Sequence, residues 1–278
     1  MKKILLIGKR SFIANNIYEN LKDYFFLKKV SYLEFIKTPK NKIIKYEYII
    51  NCSLSKKYVE NKYSELNDFD LKIAKKISTT SLKMIMLSSR KVYQSGNNIK
   101  ETSKLNSKCN YSKNKILTED KIYKILKNRI LILRLSNLIG RIDLNKSKRK
   151  IHYTFLDNFF LNIKKDIIFD NKNIYKDFLS TKKFCEILRK LLKTKAYGVF
   201  NISIGKKIFL RDLITWLNFY NDKKNLKIYK TPVNFNKDCF YLNNSKLKKK
   251  INIDISIMEL KKYCINISKN FFKKNKSI

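Results

Sequence analysis

A chain of 278 residues with 44% hydrophobic content holds enough apolar mass for a real core, in one large domain or two unequal ones at a usual size of roughly 100–200 residues each. Its 63 Lys and Arg against 22 Asp and Glu give a formal net charge of +41, but the basic residues run from Lys2 to Lys276 without a stripe. They accompany abundant Ile and Asn, a mixture that AT-rich codons produce without selection for binding, so specific nucleic-acid recognition does not follow, although the same field concentrates small anions.

No apolar run approaches the ~20 residues of a membrane span, and Ile4–Ile7, closed by Gly8-Lys9-Arg10, is too short for a signal-peptide core of ~7–15. The expected location is the cytoplasm. The cysteines Cys52, Cys109, Cys185, Cys239 and Cys264 never form a Cys-x-x-Cys pair, and there is one histidine. Neither structural zinc nor a disulfide framework is expected, and no metal site.

In chain order, short β-rich runs alternate with helical patterns. The run Lys3–Ile7 reads as a strand and Phe12 to about Phe25 as a helix, with strands near Val30 and over Tyr48–Cys52. A helix follows over about Asn67–Ile77, a buried strand over Met84–Ser88, an amphipathic helix over Tyr111–Leu126 and a strand over Arg129–Leu135. Further helices are expected near Phe155–Ile163, Thr181–Leu192 and Leu210–Phe219. Strands alternating with helices of this length predict an α/β fold, a doubly wound parallel sheet covered on both faces. The segment around Pro232 and Asn234–Asp238 is less regular, and the end from Asn266 to Ile278 is Lys/Asn-rich and expected to fray.

Glycine is scarce. Average usage of ~7% would supply about twenty, yet only Gly8, Gly96, Gly140, Gly198 and Gly205 occur. Four of them flank or interrupt β-like runs, as loops at strand ends do.

The first chemical motif is the strand Ile4–Ile7, then Gly8-Lys9-Arg10-Ser11-Phe12-Ile13-Ala14, then a helix. Such a turn presents free N–H groups and the positive helix end to a pyrophosphate. Taken alone, it is equally an ordinary strand-to-helix turn. The second motif is Ser88-Ser89-Arg90-Lys91-Val92-Tyr93 at the end of a buried strand, followed by Tyr111-Ser112-Lys113-Asn114-Lys115 opening a helix. Tyr and Lys four apart share a helix face. An ammonium there is expected to pull the phenol down from ~10 toward working pH, as a general acid or base requires. Tyr18/Lys22, Tyr24/Lys28, Tyr58/Lys62, Tyr123/Lys127 and Tyr220/Lys224 have the same spacing. Context selects Tyr111: it follows a strand-terminal Ser-Ser-x-x-Val-Tyr by about twenty residues and precedes Glu119 by eight.

On these residues the chain resembles the extended short-chain dehydrogenase/reductase family, the NAD(P)-dependent nucleotide-sugar epimerases, dehydratases and reductases. Gly8-x-x-Ser11-Phe12-Ile13-Ala14 is similar to the family's Gly-x-x-Gly-Phe-Ile-Gly, with Ser11 and Ala14 in place of its later glycines. Ile49-Ile50-Asn51-Cys52-Ser53 resembles the strand that ends in small residues beside the cofactor, and Asn67 matches an asparagine that opens the next helix. Ser89, Tyr111 and Lys115 match the catalytic triad; Glu101 and Glu119 match nearby acidic positions. Leu133-Arg134-Leu135-Ser136-Asn137-Leu138-Ile139-Gly140, Tyr175-Lys176-Asp177-Phe178 and Gly198-Val199-Phe200-Asn201-Ile202-Ser203-Ile204-Gly205 resemble later family segments, with Lys176 replacing an arginine.

The resemblance implies a Rossmann-type NAD(P)-binding domain over 1–150, with 174–205 returning to it, and a smaller substrate-binding part over 151–173 and 206–278. Gly8, Arg10, Ser11, Phe12, Ile13, Cys52, Ser53, Tyr111 and Lys115 would hold the cofactor, and Asn137 and Lys176 the substrate. Tyr111 would transfer the proton and the nicotinamide the hydride. The implied substrate is a nucleotide-diphosphate sugar, in surface polysaccharide biosynthesis, and the implied assembly a homodimer.

Family 4,6-dehydratases carry Thr-x-Asp-Glu where this chain has Ser88-Ser89-Arg90-Lys91, so the acid pair for eliminating water is missing. No ribose-binding carboxylate stands at the end of the second strand, Lys28-Lys29-Val30-Ser31-Tyr32, unless Glu34 reaches back. Arg10 with these lysines instead suits a 2′-phosphate. NADP is therefore favoured over NAD, and a 4-keto sugar nucleotide reductase over an NAD-dependent epimerase. A dinucleotide-binding module without catalysis and a polyanion-binding protein are the readings from other classes. His152, Cys52, the aromatics Phe155, Phe159 and Phe160, and the stripe Ile257, Leu260 and Cys264 read more simply as structural, although basic flanks leave a membrane-surface contact of that last stripe open.

Overall fold

Several apolar runs are buried over nearly their whole length, which only a sheet covered on both faces allows. The computed structural model describes residues 1–140, 155–165, 167–170, 173–222, 227–230 and 238–274. It begins with β1 (Lys3–Ile7), α1 (Phe12–Leu21), β2 (Phe26–Val30), the short helices α2 (Tyr32–Lys37) and α3 (Lys40–Ile43), and β3 (Tyr48–Asn51). Next come α4 (Lys56–Glu60), α5 (Phe69–Ile77), β4 (Lys83–Ser89), α6 (Asn110–Leu126), β5 (Ile130–Leu135) and the short β6 (Asn137–Ile139). The second half holds α7 (Phe155–Lys164), β7 (Ile167–Asp170), β8 (Tyr175–Lys176), β9 (Phe178–Ser180), α8 (Thr181–Lys193) and β10 (Gly198–Ile202). It closes with β11 (Ile208–Phe209), α9 (Leu210–Leu217), β12 (Lys227–Lys230), α10 (Ser245–Ile251) and α11 (Ile257–Lys274).

Six strands form one parallel sheet in the order β10-β5-β4-β3-β1-β2. The fold is α/β and Rossmann-like, as expected. Alternate residues of β1 feed opposite faces: Ile4 and Leu6 join one apolar cluster with Ile17, Leu21 and Leu188, while Leu5 and Ile7 join another with Phe35, Leu71 and Ile122. The period of two in a strand dictates that division. The first cluster runs on without a break into α7, α9, α10 and α11 through Leu156, Leu213, Leu247 and Leu260.

The expected strands and longer helices stand close to their predicted positions, with local differences. The first helix ends at Leu21 rather than Phe25, because residues 22–25 turn the chain so that Phe26 can hydrogen-bond to Lys2 and start β2. Asn67 closes a short 3-10 turn, and Asp68 opens α5 instead, its side chain accepting from the Leu71 N–H at 2.9 Å. The expectation also passed over α2, whose start is a reciprocal cap: Ser31 accepts from the Glu34 N–H and Glu34 accepts from the Ser31 N–H. Arg141–Lys150, His152 and Pro232 lie outside the described residues, as does the junction near 150. Phe159 and Phe160 are core, as are Leu260 and Cys264. The Phe160 and Phe271 rings stack at 3.9 Å, tying α7 to α11.

One carboxylate fastens the β8–β9 corner to the segments beyond the sheet. Asp177, fully buried, accepts backbone N–H groups from Ile204 at 3.0 Å and from Gly205 and Leu242 at 3.1 Å. Asp177→Ala leaves three backbone donors unmatched, those of Ile204 and Leu242 buried and that of Gly205 partly so, and should lower unfolding free energy by about 3 kcal/mol. Urea denaturation measures the loss.

Candidate functional site

The sheet order puts the crossover reversal between β1 and β3, since β2 lies on one side of β1 and every later strand on the other. In open parallel sheets the crevice beyond the carboxyl ends at such a point is where ligands bind. Two loops meet there. Gly8, at φ +115°, approaches the β3 loop so closely that a Cβ would lie 2.9 Å from the Cys52 carbonyl carbon and 3.0 Å from the Ser53 nitrogen. Only glycine takes that backbone and that separation without strain.

Ser11 stands at the N-cap of α1 with no side-chain cap bond. The first-turn N–H groups, Phe12 and Ile13 among them, therefore have no capping side chain and suit an anion such as a pyrophosphate. Arg10 is exposed in this turn. Phe12 reaches Gly140, where an added Cβ would sit 2.5 Å from its ring and 2.5 Å from Thr181. Gly140 thus lets the turn after β6 press against the start of α1.

Near the second strand's end, Lys29 donates to Asn15 Oδ1 at 3.0 Å and lies over the Tyr18 ring at 4.4 Å, so it is engaged with α1. Glu34 is held by its cap to Ser31, with Lys9 and Lys28 near enough to lower its carboxyl further.

At the end of β4 the structure brings Ser89, Tyr111 and Lys115 together. The Ser89 side chain hydrogen-bonds the Tyr111 phenol. Burial raises that phenol above its ordinary value by more than the Lys115 ammonium lowers it, and the Asp70 carboxylate adds to the rise. This corrects the expectation of a phenol pulled down: Lys115 is not a free charge. Its Nζ donates to Asp70 Oδ2 at 2.8 Å, with both side chains 4% exposed. Burial opposes the ammonium, but Asp70 first and Tyr58 next raise its pKa above the ordinary value. Cys52 beside the pair has its thiol pushed up by burial and then by Asp70, which disfavours a nucleophilic thiolate.

Behind these groups runs a buried strut. Glu119 accepts from Ser88 and from Arg134 Nη2 at 2.6 Å. Arg134 Nη1 donates to the Tyr93 hydroxyl at 2.7 Å, which donates to Asn201 Oδ1 at 2.9 Å. The strut ties α6, β4, β5 and β10 together, so the motif residues Glu119, Arg134 and Asn201 are structural.

Of the two substrate candidates, Asn137 lies in β6, in register with Phe178 of β9. Lys176 is paired elsewhere: its Nζ meets Asp238 Oδ2 at 2.9 Å, beside Arg90 Nη2 at 2.6 Å. Burial pushes the Asp238 carboxyl up, but Arg90 and Lys176 outweigh it and hold it down at about 2. Arg90 also lies 3.9 Å over the Phe240 ring. The sequence reading missed Asp70, Asp68 and Asp238. Scarcity was a usable signal for the first two, since a chain with 22 acidic residues places two of them two positions apart at one helix start.

No protein-family model matches the chain, and no curated protein sequence does. Solved structures do match over nearly the whole length. A UDP-N-acetylglucosamine 4-epimerase from Methanobrevibacter ruminantium M1, in complex with UDP-N-acetylmuramic acid, has a TM-score of 0.79 at 18% identity, covering 98% of this chain and 99% of its own. This chain shares its fold. A dTDP-glucose 4,6-dehydratase from Bacillus anthracis in complex with NAD gives 0.75 at 15% identity, covering 100% and 98%. A dTDP-4-dehydrorhamnose reductase from Clostridium acetobutylicum gives 0.72 at 17%, covering 94% and 98%. The fold that the family resemblance implied is thus present end to end.

Gly8→Ala should destabilise the protein by about 1–3 kcal/mol through the forbidden backbone and the clash with the Cys52 carbonyl. Thermal melting of the variant checks the loss.

Proposed function

We propose that the chain is an extended short-chain dehydrogenase/reductase that reduces a keto group on a nucleotide-diphosphate sugar. The observation that carries this reading is the meeting of Ser89, Tyr111 and Lys115 at the carboxyl end of β4, next to the crevice where Gly8 closes on Cys52 and Ser53. A nicotinamide dinucleotide would supply the hydride. The turn Gly8–Ser11 and the first N–H groups of α1 would hold its pyrophosphate, with Phe12, Ile13, Cys52 and Ser53 lining the crevice. Lys115 would hold ribose hydroxyls.

Tyr111 is the proton donor. A phenol kept above its ordinary value stays protonated at neutral pH, the state needed to protonate a ketone oxygen as hydride arrives at the carbon. Ser89 would hold that oxygen. Arg90 and Lys91 occupy the positions where dehydration would need acids, and Arg90 is turned to Asp238, which argues against elimination of water. NADPH fits better than NADH: Glu34 is committed to its cap, and Arg10 is exposed in the phosphate turn, free to meet a 2′-phosphate. On this reading Asn137 and Lys176 belong to the sugar-nucleotide side, with 1–150 and 174–205 as the dinucleotide part.

Calorimetry should show NADPH binding several-fold tighter than NADH, with Arg10→Ala narrowing the gap. Tyr111→Phe should keep cofactor affinity and lower kcat by about 10²-fold or more. Near wild-type turnover in that variant would remove Tyr111 from the mechanism. Stoichiometry separates the two oxidoreductase readings: a reductase consumes one NADPH per keto-sugar, whereas an epimerase interconverts two nucleotide sugars without net loss of absorbance.

A further inference from the structure

The resemblance gives Lys115 a role but no counter-ion, and the structure supplies one forty-five residues earlier in the chain. We propose that Asp70 is the positioning residue of the site, fixing the Lys115 ammonium in its charged form and aiming its remaining N–H groups at the dinucleotide ribose and Tyr111. The assignment rests on the reading above.

An ammonium has three N–H donors. Asp70 takes one, at 2.8 Å, and leaves two for the ribose and the phenol. The other Asp70 oxygen is held in turn: Asn51 Nδ2 donates to Oδ1 at 2.7 Å. Asn51 Oδ1 accepts from the Ser53 N–H at 3.0 Å and from the Ser53 hydroxyl at 2.6 Å. That fixes the amide's orientation, because its oxygen faces two donors and its nitrogen must face Asp70. Both Asp70 oxygens therefore have to accept. The chain of bonds runs from Ser53 through Asn51 to Asp70 and Lys115, and links the loop after β3 to the helix that carries Tyr111.

Asp68 cannot substitute. Its oxygens are taken by the Leu71 N–H, by Thr118 Oγ1 at 2.6 Å and by the Tyr63 hydroxyl at 3.0 Å. The other titratable groups facing the pair are Tyr58 of α4, whose ring lies 5.6 Å from the ammonium, Cys52 after β3, and Tyr111 of α6. Asp70 also cancels part of the ammonium's pull on Tyr111, so a paired Lys115 leaves the phenol protonated as a donor requires.

Asp70→Asn is a severe test, because an amide nitrogen must then face either Asn51 Nδ2 or Lys115 Nζ, donor against donor. NADPH and NADH would be titrated by fluorescence from pH 6 to 9 into wild type, Asp70→Asn, Asp70→Glu, Lys115→Met and the Asp70→Asn/Lys115→Met double variant. Wild type should show a flat affinity. Asp70→Asn should bind about tenfold more weakly at pH 7 and weaken further as pH rises, since an ammonium buried without its partner loses its proton within that range. Asp70→Glu should restore the flat profile, and in the Lys115→Met background Asp70→Asn should cost nothing more.

A flat Asp70→Asn profile at wild-type affinity, or an undiminished loss in the Lys115→Met background, overturns the proposal and leaves the dinucleotide reading standing. Wild type binding neither nucleotide overturns both. If Asp70→Asn fails to fold, thermal melts decide: the double variant must recover the fold, because the uncompensated ammonium is the cause, and failure to recover it overturns the proposal.

Discussion

In an interior of low polarity, a cation stays charged only with an anion at hydrogen-bond distance. In a chain with 63 basic and 22 acidic residues, the acids are the scarce partner. Most lysines avoid the problem at the surface. Among the described residues three buried cations cannot, and each has a carboxylate: Arg134 has Glu119 at 2.6 Å, Lys115 has Asp70 at 2.8 Å, and Arg90 has Asp238 at 2.6 Å. The first two pairs run through α6, one to β5 and one to α5. That helix is therefore fixed from two sides, and Tyr111 in its first turn is presented at the end of β4 with little freedom. Removing either carboxylate would strand a buried charge, a cost well above that of an exposed pair.

The crevice depends on a second constraint, the close approach of two backbones. A single strand, β2, lies outside β1, so the reversal in strand order falls directly between β1 and β3. Gly8 brings the loop after β1 against the carbonyl of Cys52, and Gly140 brings the turn after β6 against Phe12. With few glycines in the chain, these positions keep theirs because any side chain would force the loops apart.

Across the site, Asp238 gathers Arg90, Lys176 and Ser95. The residue after Ser89 is thus a cation committed to a carboxylate far along the chain, and on the proposed reading that pairing argues against elimination.

The sequence by itself determined the alternation of elements and the places where the chain turns, because strand and helix periodicities and the scarcity of glycine are local properties. β1, β4, α6 and α8 follow from pattern, and so does the turn at Gly8. Ser89, Tyr111 and Lys115 were legible only together, since five other Tyr/Lys pairs share the spacing and context had to choose among them. Tertiary structure decided the rest. Asn67 yielded the start of α5 to Asp68 because the Asp68 side chain reaches the Leu71 N–H, and the first helix stopped at Leu21 because β2 had to begin beside Lys2. The direction of the Tyr111 shift reversed because burial and Asp70 outweigh Lys115. Asp70 meets Lys115, and Lys176 meets Asp238, across forty-five and sixty-two residues. Such pairings depend on sheet register and on which groups are taken from water, and neither is encoded in the periodicity of any one segment.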